Sequence, residues 1–207
     1  MSHAIGDKLD PRQTFFEQLA QKWDSNQPTD REDTLHQLLA PFDPHLQQCQ
    51  SLLDVGTGTG AIIPVLKLRY PAASIYSIDL AHKMLVRAHQ RIASANLIQA
   101  DVHQLPFVRN CFSAILCHNS FPHFQDKAWS LLEMKRVLQR GGWLFIVHDL
   151  SREKVNTVHK NAVADCIHLD ILPSGEEVGR LLEAVGFRTC QIQDSDIKYS
   201  VSAQTKF

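Results

Sequence analysis

The stretch LLDVGTGTGAIIPVL, Leu52 to Leu66, decides how this chain is to be read. An apolar run ending in Asp54 opens into Gly56, Gly58 and Gly60, which alternate with Thr57 and Thr59 before a second apolar run begins. Glycine is required where φ is positive or where a ligand must come close to the backbone. Between a strand and the N-terminus of a helix, whose free amides favour a polar or negative group, three alternate glycines point to a bound small molecule. The motif does not choose the ligand. Gly56-x-Gly58-x-x-Ala61 also satisfies the dinucleotide fingerprint, which keeps NAD open.

Outward from this loop the hydrophobic pattern alternates between short strands and helices. Residues 51–55 read as a strand, 60–69 as a helix that Pro64 should kink, and 74–78 as a strand. Met84, Leu85, Ala88 and Ile92 mark the next helix, and residues 97–100 and 112–117 the next strands. Asp126 caps a helix carrying Trp129, Leu132, Val137 and Leu138; Gly141 ends it, and residues 143–147 form the fifth strand. A capping box from Ser174 to Glu177 starts the last helix, which stops at Gly186. Strands at 187–193 and 197–203 then follow at hairpin spacing. The pattern implies an α/β fold: a Rossmann-like, doubly wound, mostly parallel seven-stranded sheet, closed by a C-terminal antiparallel hairpin. Upstream, Asp10-Pro11 and a Thr29–Glu32 capping box begin two helices that form an N-terminal helical cap.

The 207 residues suit one domain: the cap over 1–48, a ligand-binding core over 49–148, an insertion over 149–173, and the last helix and hairpin over 174–207. The insertion is unusually long for a connection at the carboxyl end of a strand, where binding surfaces are built. A formal net charge of -1 argues against a nucleic-acid partner. Five cysteines without metal-binding spacing suggest reduced thiols, and no apolar run is long enough to span a bilayer. With no signal-peptide pattern at the N-terminus, the expected location is cytoplasmic.

Two further acids face the same cleft. Asp79 ends the second strand about 20 residues beyond the glycines, where a carboxylate accepts from ribose hydroxyls. Asp101, in QADVHQLPF, ends the third, where it can accept from an adenine amino group. Together LLDVGTGTG, SIDLAHKML, QADVHQLPF, FSAILCHNSFPHF and LLEMKRVLQRGGWLFIV resemble the class I S-adenosylmethionine-dependent methyltransferases, closest to their small-molecule branch. The resemblance covers roughly residues 51–147 in order. It implies that Gly56, Thr57 and Gly58 pass under the methionine portion and that Asp54 faces its ammonium group. Asp79 and Leu80 would hold the ribose, Asp101 and Val102 would border the adenine, and His118 would close the cofactor site. Asp54 favours a cofactor carrying an ammonium and a sulfonium over one carrying a pyrophosphate. The Asn/Asp-Pro-Pro-aromatic motif common in relatives that methylate bases or glutamine is absent; HNSFPHF stands there instead.

That segment is rich in histidine. His118, His123, His148, His159 and His168 lie near the ends of strands four and five or in the insertion, with Asp149, Cys166 and Asp170 close by in sequence. His118, His123 and His148 are the candidate general bases, with His118 and His148 expected to converge on the acceptor. A divalent metal held by the same group is the alternative, although no HxH, HxxxH or HExxH spacing supports it.

Overall fold

The computed structural model describes residues 10–26, 31–162 and 164–206. In the N-terminal segment, α1 (Pro11–Leu19) is capped by Asp10, whose carboxylate accepts from the Arg12 amide at 2.8 Å. A short 3-10 turn at Trp23–Asn26 leads on to α2 (Arg31–Leu39), and α3 (Asp43–Leu46) follows. The expected Thr29 cap lies outside the described residues. The sheet then alternates with helices: β1 (Ser51–Val55), α4 (Ile63–Arg69), β2 (Ser74–Asp79), α5 (His82–Arg91), β3 (Asn96–Gln99), β4 (Phe112–His118), α6 (Lys127–Val137) and β5 (Leu138–His148). The insertion carries α7 (Arg152–Lys160) and α8 (Asp165–His168), and α9 (Gly175–Ala184), β6 (Phe187–Asp194) and β7 (Tyr199–Thr205) complete the order.

The strand order is β3-β2-β1-β4-β5-β7-β6. The first five strands pair in parallel, while β7 runs antiparallel between β5 and β6. The expected doubly wound sheet and closing hairpin are therefore present. Successive residues of one strand serve opposite faces. Leu53 and Ile115 pack with Leu131, Met134, Val178 and Leu182 from α6 and α9. Leu52, Leu116 and Phe145 pack with Leu35, Leu39, Leu46, Val65 and Leu66 from α2, α3 and α4. Burying one such side chain is worth about 1.5–3 kcal/mol, so both faces hold the sheet. No described helix is long and apolar enough to cross a membrane.

Two local expectations change. The first crossover helix begins at Ile63 rather than at residue 60, because turn bonds from the Gly60 and Ile63 amides to the Thr57 and Gly60 carbonyls occupy the intervening backbone. Pro64 thus falls in the first helical turn, where a missing N–H costs nothing, and it does not kink the helix. Likewise α6 stops at Val137 and the chain enters β5 at once. Gly141, at φ +72°, lies within an irregularity where Phe112 pairs with Leu138 but Ala114 with Trp143. The glycine turns a bulge rather than ending a helix.

Candidate functional site

The order of strands reverses beside β1, and the glycine turn sits at that crevice. Backbone amides of Gly56 and Thr57 both donate to the Ile78 carbonyl at 2.9 Å, tying the turn to β2. Gly56, Gly58 and Gly60 have φ of +76°, +57° and +75°. Their reasons differ. A Cβ on Gly56 would stand 2.4 Å from Ser120 Cβ, and one on Gly60 2.8 Å from Ala88 Cβ, so these two permit close packing inside the protein. A Cβ on Gly58 would meet nothing closer than the Trp23 indole nitrogen at 4.0 Å. There the glycine is needed for its conformation and leaves space over the backbone.

That space is part of a cavity. Of the residues expected at the site, Gly56, Gly58, Asp79, Leu80, Asp101, Val102 and His123 line it together. Ile78, Met84, Ala100 and Phe124 give it an apolar wall, and Arg12, Phe16 and Trp23 face it from the N-terminal segment. Asp54, Thr57, His118 and His148 do not line it; they are buried at the adjoining strand ends and loop.

The three acids are held differently. Both Asp79 oxygens accept from backbone amides, Gly58 at 2.8 Å and Ala81 at 2.9 Å, which fixes the carboxylate at the cavity edge. Burial nevertheless raises its pKa to about 6, against the pull of those amides. Asp101 is more open and uses Oδ1 for the His103 amide and ring at 2.9 and 2.6 Å. Asp54 is 1% exposed, and neither carboxylate oxygen has a hydrogen-bond partner among the described residues. Burial raises its pKa to about 6; the Thr57 and Ser77 hydroxyls and His118 pull the other way, yet neither hydroxyl completes a hydrogen bond to the Asp54 carboxylate. An unpartnered buried carboxylate is costly, and a nearby cation would offset that cost. The cavity offers S-adenosylmethionine a carboxylate for its ribose hydroxyls in Asp79 and an apolar slot bordered by Leu80 and Val102 for its base. Asp54 lies behind the glycine turn, where it would act on a bound ammonium only through its negative charge.

The histidines divide into two groups. His118 Nε2 lies 2.7 Å from Asp149 Oδ1, and Asp149 Oδ2 accepts from the Asn119 side chain at 2.7 Å. Asn119, at φ +54°, turns the chain out of β4 so that this pair ties the ends of β4 and β5 together. His148 is 2% exposed and packs edge-on against Tyr199 at 5.6 Å. Burial depresses its pKa to about 3, so the expectation that His148 takes a proton from the acceptor meets a physical obstacle: it is a weak base deep in the sheet. His123 is the one of the three that lines the cavity. A 3-10 turn, Phe121–His123, presents it, and its Nδ1 lies 2.7 Å from Asp170 Oδ2. Among the described residues, no three His, Cys, Asp or Glu side chains are grouped to hold a metal ion.

Sequence reasoning missed the two side chains, Glu17 and Arg12, by which α1 is attached. Glu17 accepts from the His82 and Lys83 amides at 2.6 and 3.0 Å, capping α5 from outside. Arg12 Nε donates to Asp170 at 2.9 Å, bringing α1 to the insertion. Nothing in the local pattern signals either contact, since the partners lie 65 and 158 residues apart.

Residues 53–146 match the family model described as a methyltransferase domain. A demethylmenaquinone methyltransferase of Thermotoga maritima is 38% identical over 98 residues, 47% of this chain and 43% of that protein. A malonyl-[acyl-carrier protein] O-methyltransferase of Geobacter sulfurreducens is 28% identical over 162 residues, 70% of this chain and 58% of its own length. The chain thus spans about half the length of these curated relatives. Among solved structures, a SAM-dependent methyltransferase from Aquifex aeolicus superposes with a TM-score of 0.69 at 23% identity, covering 95% of this chain and 99% of that one.

Proposed function

We propose that the chain is a class I S-adenosylmethionine-dependent methyltransferase and that it methylates a small molecule whose attacking atom bears a proton; the methyltransferase-domain match over residues 53–146 supports the first part. S-adenosylmethionine supplies a methyl group on a sulfonium, already an excellent leaving group. What remains for the protein is alignment and, for a protonated nucleophile, removal of the proton. Asp54, Gly56, Thr57, Gly58, Asp79, Leu80, Asp101 and Val102 bind and orient the cofactor. His123 receives the acceptor's proton, while His118 and His148 support the strand ends beneath it.

The observation that carries this reading is His123: a histidine on the cavity wall with one ring nitrogen engaged by a carboxylate and, among the described residues, no hydrogen-bond partner on the other. One curated relative is named for demethylmenaquinone, a small molecule, which supports a small acceptor here. All five cysteines are unpaired, which supports a cytoplasmic enzyme.

The test is an acceptor screen with S-adenosylmethionine, read by mass spectrometry. A hydroxyl, thiol or acidic C–H compound should gain one methyl group, and His123→Ala should slow its methylation at least about a hundredfold. Cofactor affinity in that variant should stay within about threefold. Transfer confined to acceptors that carry no proton on the attacking atom, or undiminished turnover in His123→Ala, would remove the histidine from the chemistry.

A further inference from the structure

Asp170 lies in the insertion, far in sequence from every motif of the cofactor site, and its side chain is only 2% exposed. Three elements converge on it. Arg12 of α1 donates to both carboxylate oxygens through Nε, at 2.9 and 3.1 Å. His123, in the turn after β4, meets Oδ2 through Nδ1 at 2.7 Å. His159 of α7 bonds through its own Nδ1 to the Asp170 backbone carbonyl. Lys127 of α6 also feels this carboxylate, and Asp10 and Cys166 add charge effects at Arg12. Burial alone would raise the Asp170 carboxyl, but the bonds from His123 and Arg12 hold it below the usual range. It is therefore ionised, and an ionised carboxylate only accepts. In the neutral ring the His123 proton then sits on Nδ1, which leaves the Nε2 lone pair free to accept.

The ring has little freedom to do otherwise. Phe16 of α1 meets it edge-on at 5.0 Å, and the His159 ring lies at 4.9 Å. Two of these contacts, Phe16 and Arg12, come from α1, the helix that also faces the cofactor cavity.

We propose that Asp170 is a positioning residue. It holds His123 as the Nδ1–H tautomer with Nε2 ready to accept a proton, and by sharing its carboxylate with Arg12 it makes that arrangement depend on α1 being seated over the cavity. This rests on the reading of His123 given above. When the acceptor's electron pair forms the new bond to the methyl carbon, the acceptor's proton passes to Nε2 and the C–S pair leaves with the thioether. Asp170 then faces an imidazolium and stabilises it without taking the proton. A chain whose N-terminal helix is displaced would bind the cofactor poorly and would also lose the orientation of its base.

The experiment uses the full chain labelled with ¹⁵N-histidine, saturated with S-adenosylhomocysteine, and reads the His123 tautomer from long-range ¹⁵N–¹H correlations near neutral pH. Wild type should show Nδ1–H with a bare Nε2, and Asp170→Asn should shift the population toward Nε2–H. Arg12→Gln leaves Asp170 in place; it should speed hydrogen exchange of the α1 amides about tenfold or more and lessen the tautomer bias. Asp170→Glu should restore the Nδ1–H form in part. A wild-type His123 protonated on Nε2 and bare on Nδ1 overturns the proposal without reference to any variant. So does an Asp170→Asn protein with the wild-type tautomer. Failure of wild type to bind S-adenosylhomocysteine would instead contradict the methyltransferase reading, a separate outcome.

Discussion

Asp54 is buried with no hydrogen-bond donor completing a bond to it among the described residues, and this has a consequence for stability that can be measured. Its pKa of about 6 in the folded protein lies above the ordinary 3.8. Between those values the folded state holds a proton that the unfolded chain has released, so stability falls as pH rises through about 6. A shift of two units corresponds to about 3 kcal/mol. Asp54→Asn removes the titration. Its urea-unfolding free energy relative to wild type should become more favourable by about 1–3 kcal/mol between pH 4.5 and 7.5. A difference that does not change with pH would mean the carboxylate is solvated or paired. The comparison must be with the variant, because His148, at about 3, works in the opposite sense: below pH 6.5 the unfolded chain takes the proton first and stability is lost on acidification. The presence of an acid at the end of β1 is visible in the sequence. Its isolation is not, because that depends on how Thr57 and Ser77, from a loop and a neighbouring strand, orient their hydroxyls.

At the scale of elements, α1 has no fully buried residue within Pro11–Leu19; Phe16 packs partly buried beside Ala81 and Met84, and polar side chains add the rest of its attachment. Glu17 joins it to the start of α5, where two backbone amides and the helix dipole both favour a carboxylate. Glu17→Gln should therefore free α1 first: hydrogen exchange of its amides should rise about tenfold while that of β4 and β5 stays at wild-type rates. Equal protection of α1 in variant and wild type would show that Phe16 and Arg12 hold the helix without Glu17. The strands and the Asp10, Asp126 and Ser174 caps were legible because each is decided within a few residues. The start of α4 and the role of Gly141 were not. Proline reads alike in the first and middle turns of a helix until the preceding turn is seen, and a glycine that ends a helix looks the same as one that turns a bulge.

Across the whole molecule, one carboxylate in the insertion joins a helix near the N-terminus to a histidine beyond β4, spanning 158 residues. No periodicity or local motif encodes a contact at that separation. The cavity lined by the motif residues was legible because the alternation of strands and helices fixes a parallel sheet, and the sheet's reversal beside β1 fixes where those residues gather. The acceptor side was legible only as an excess of histidine, since which ring reaches the cavity depends on how the turn after β4 meets the insertion. His123 gains its position from that meeting, whereas His118 and His148 stay with the strands.

The central claim, that this cleft holds S-adenosylmethionine, is tested most directly by calorimetric titration of the full chain with S-adenosylmethionine, S-adenosylhomocysteine and NAD, repeated on Asp79→Ala. Asp79 is pinned at the cavity edge by the Gly58 and Ala81 amides, and two hydrogen bonds to ribose hydroxyls are at stake, each worth about 1.5–3 kcal/mol. The account predicts that wild type binds the first two ligands and not NAD, and that Asp79→Ala weakens both at least about tenfold. Binding of NAD with no response to the other two, or an unchanged affinity in Asp79→Ala, would contradict it.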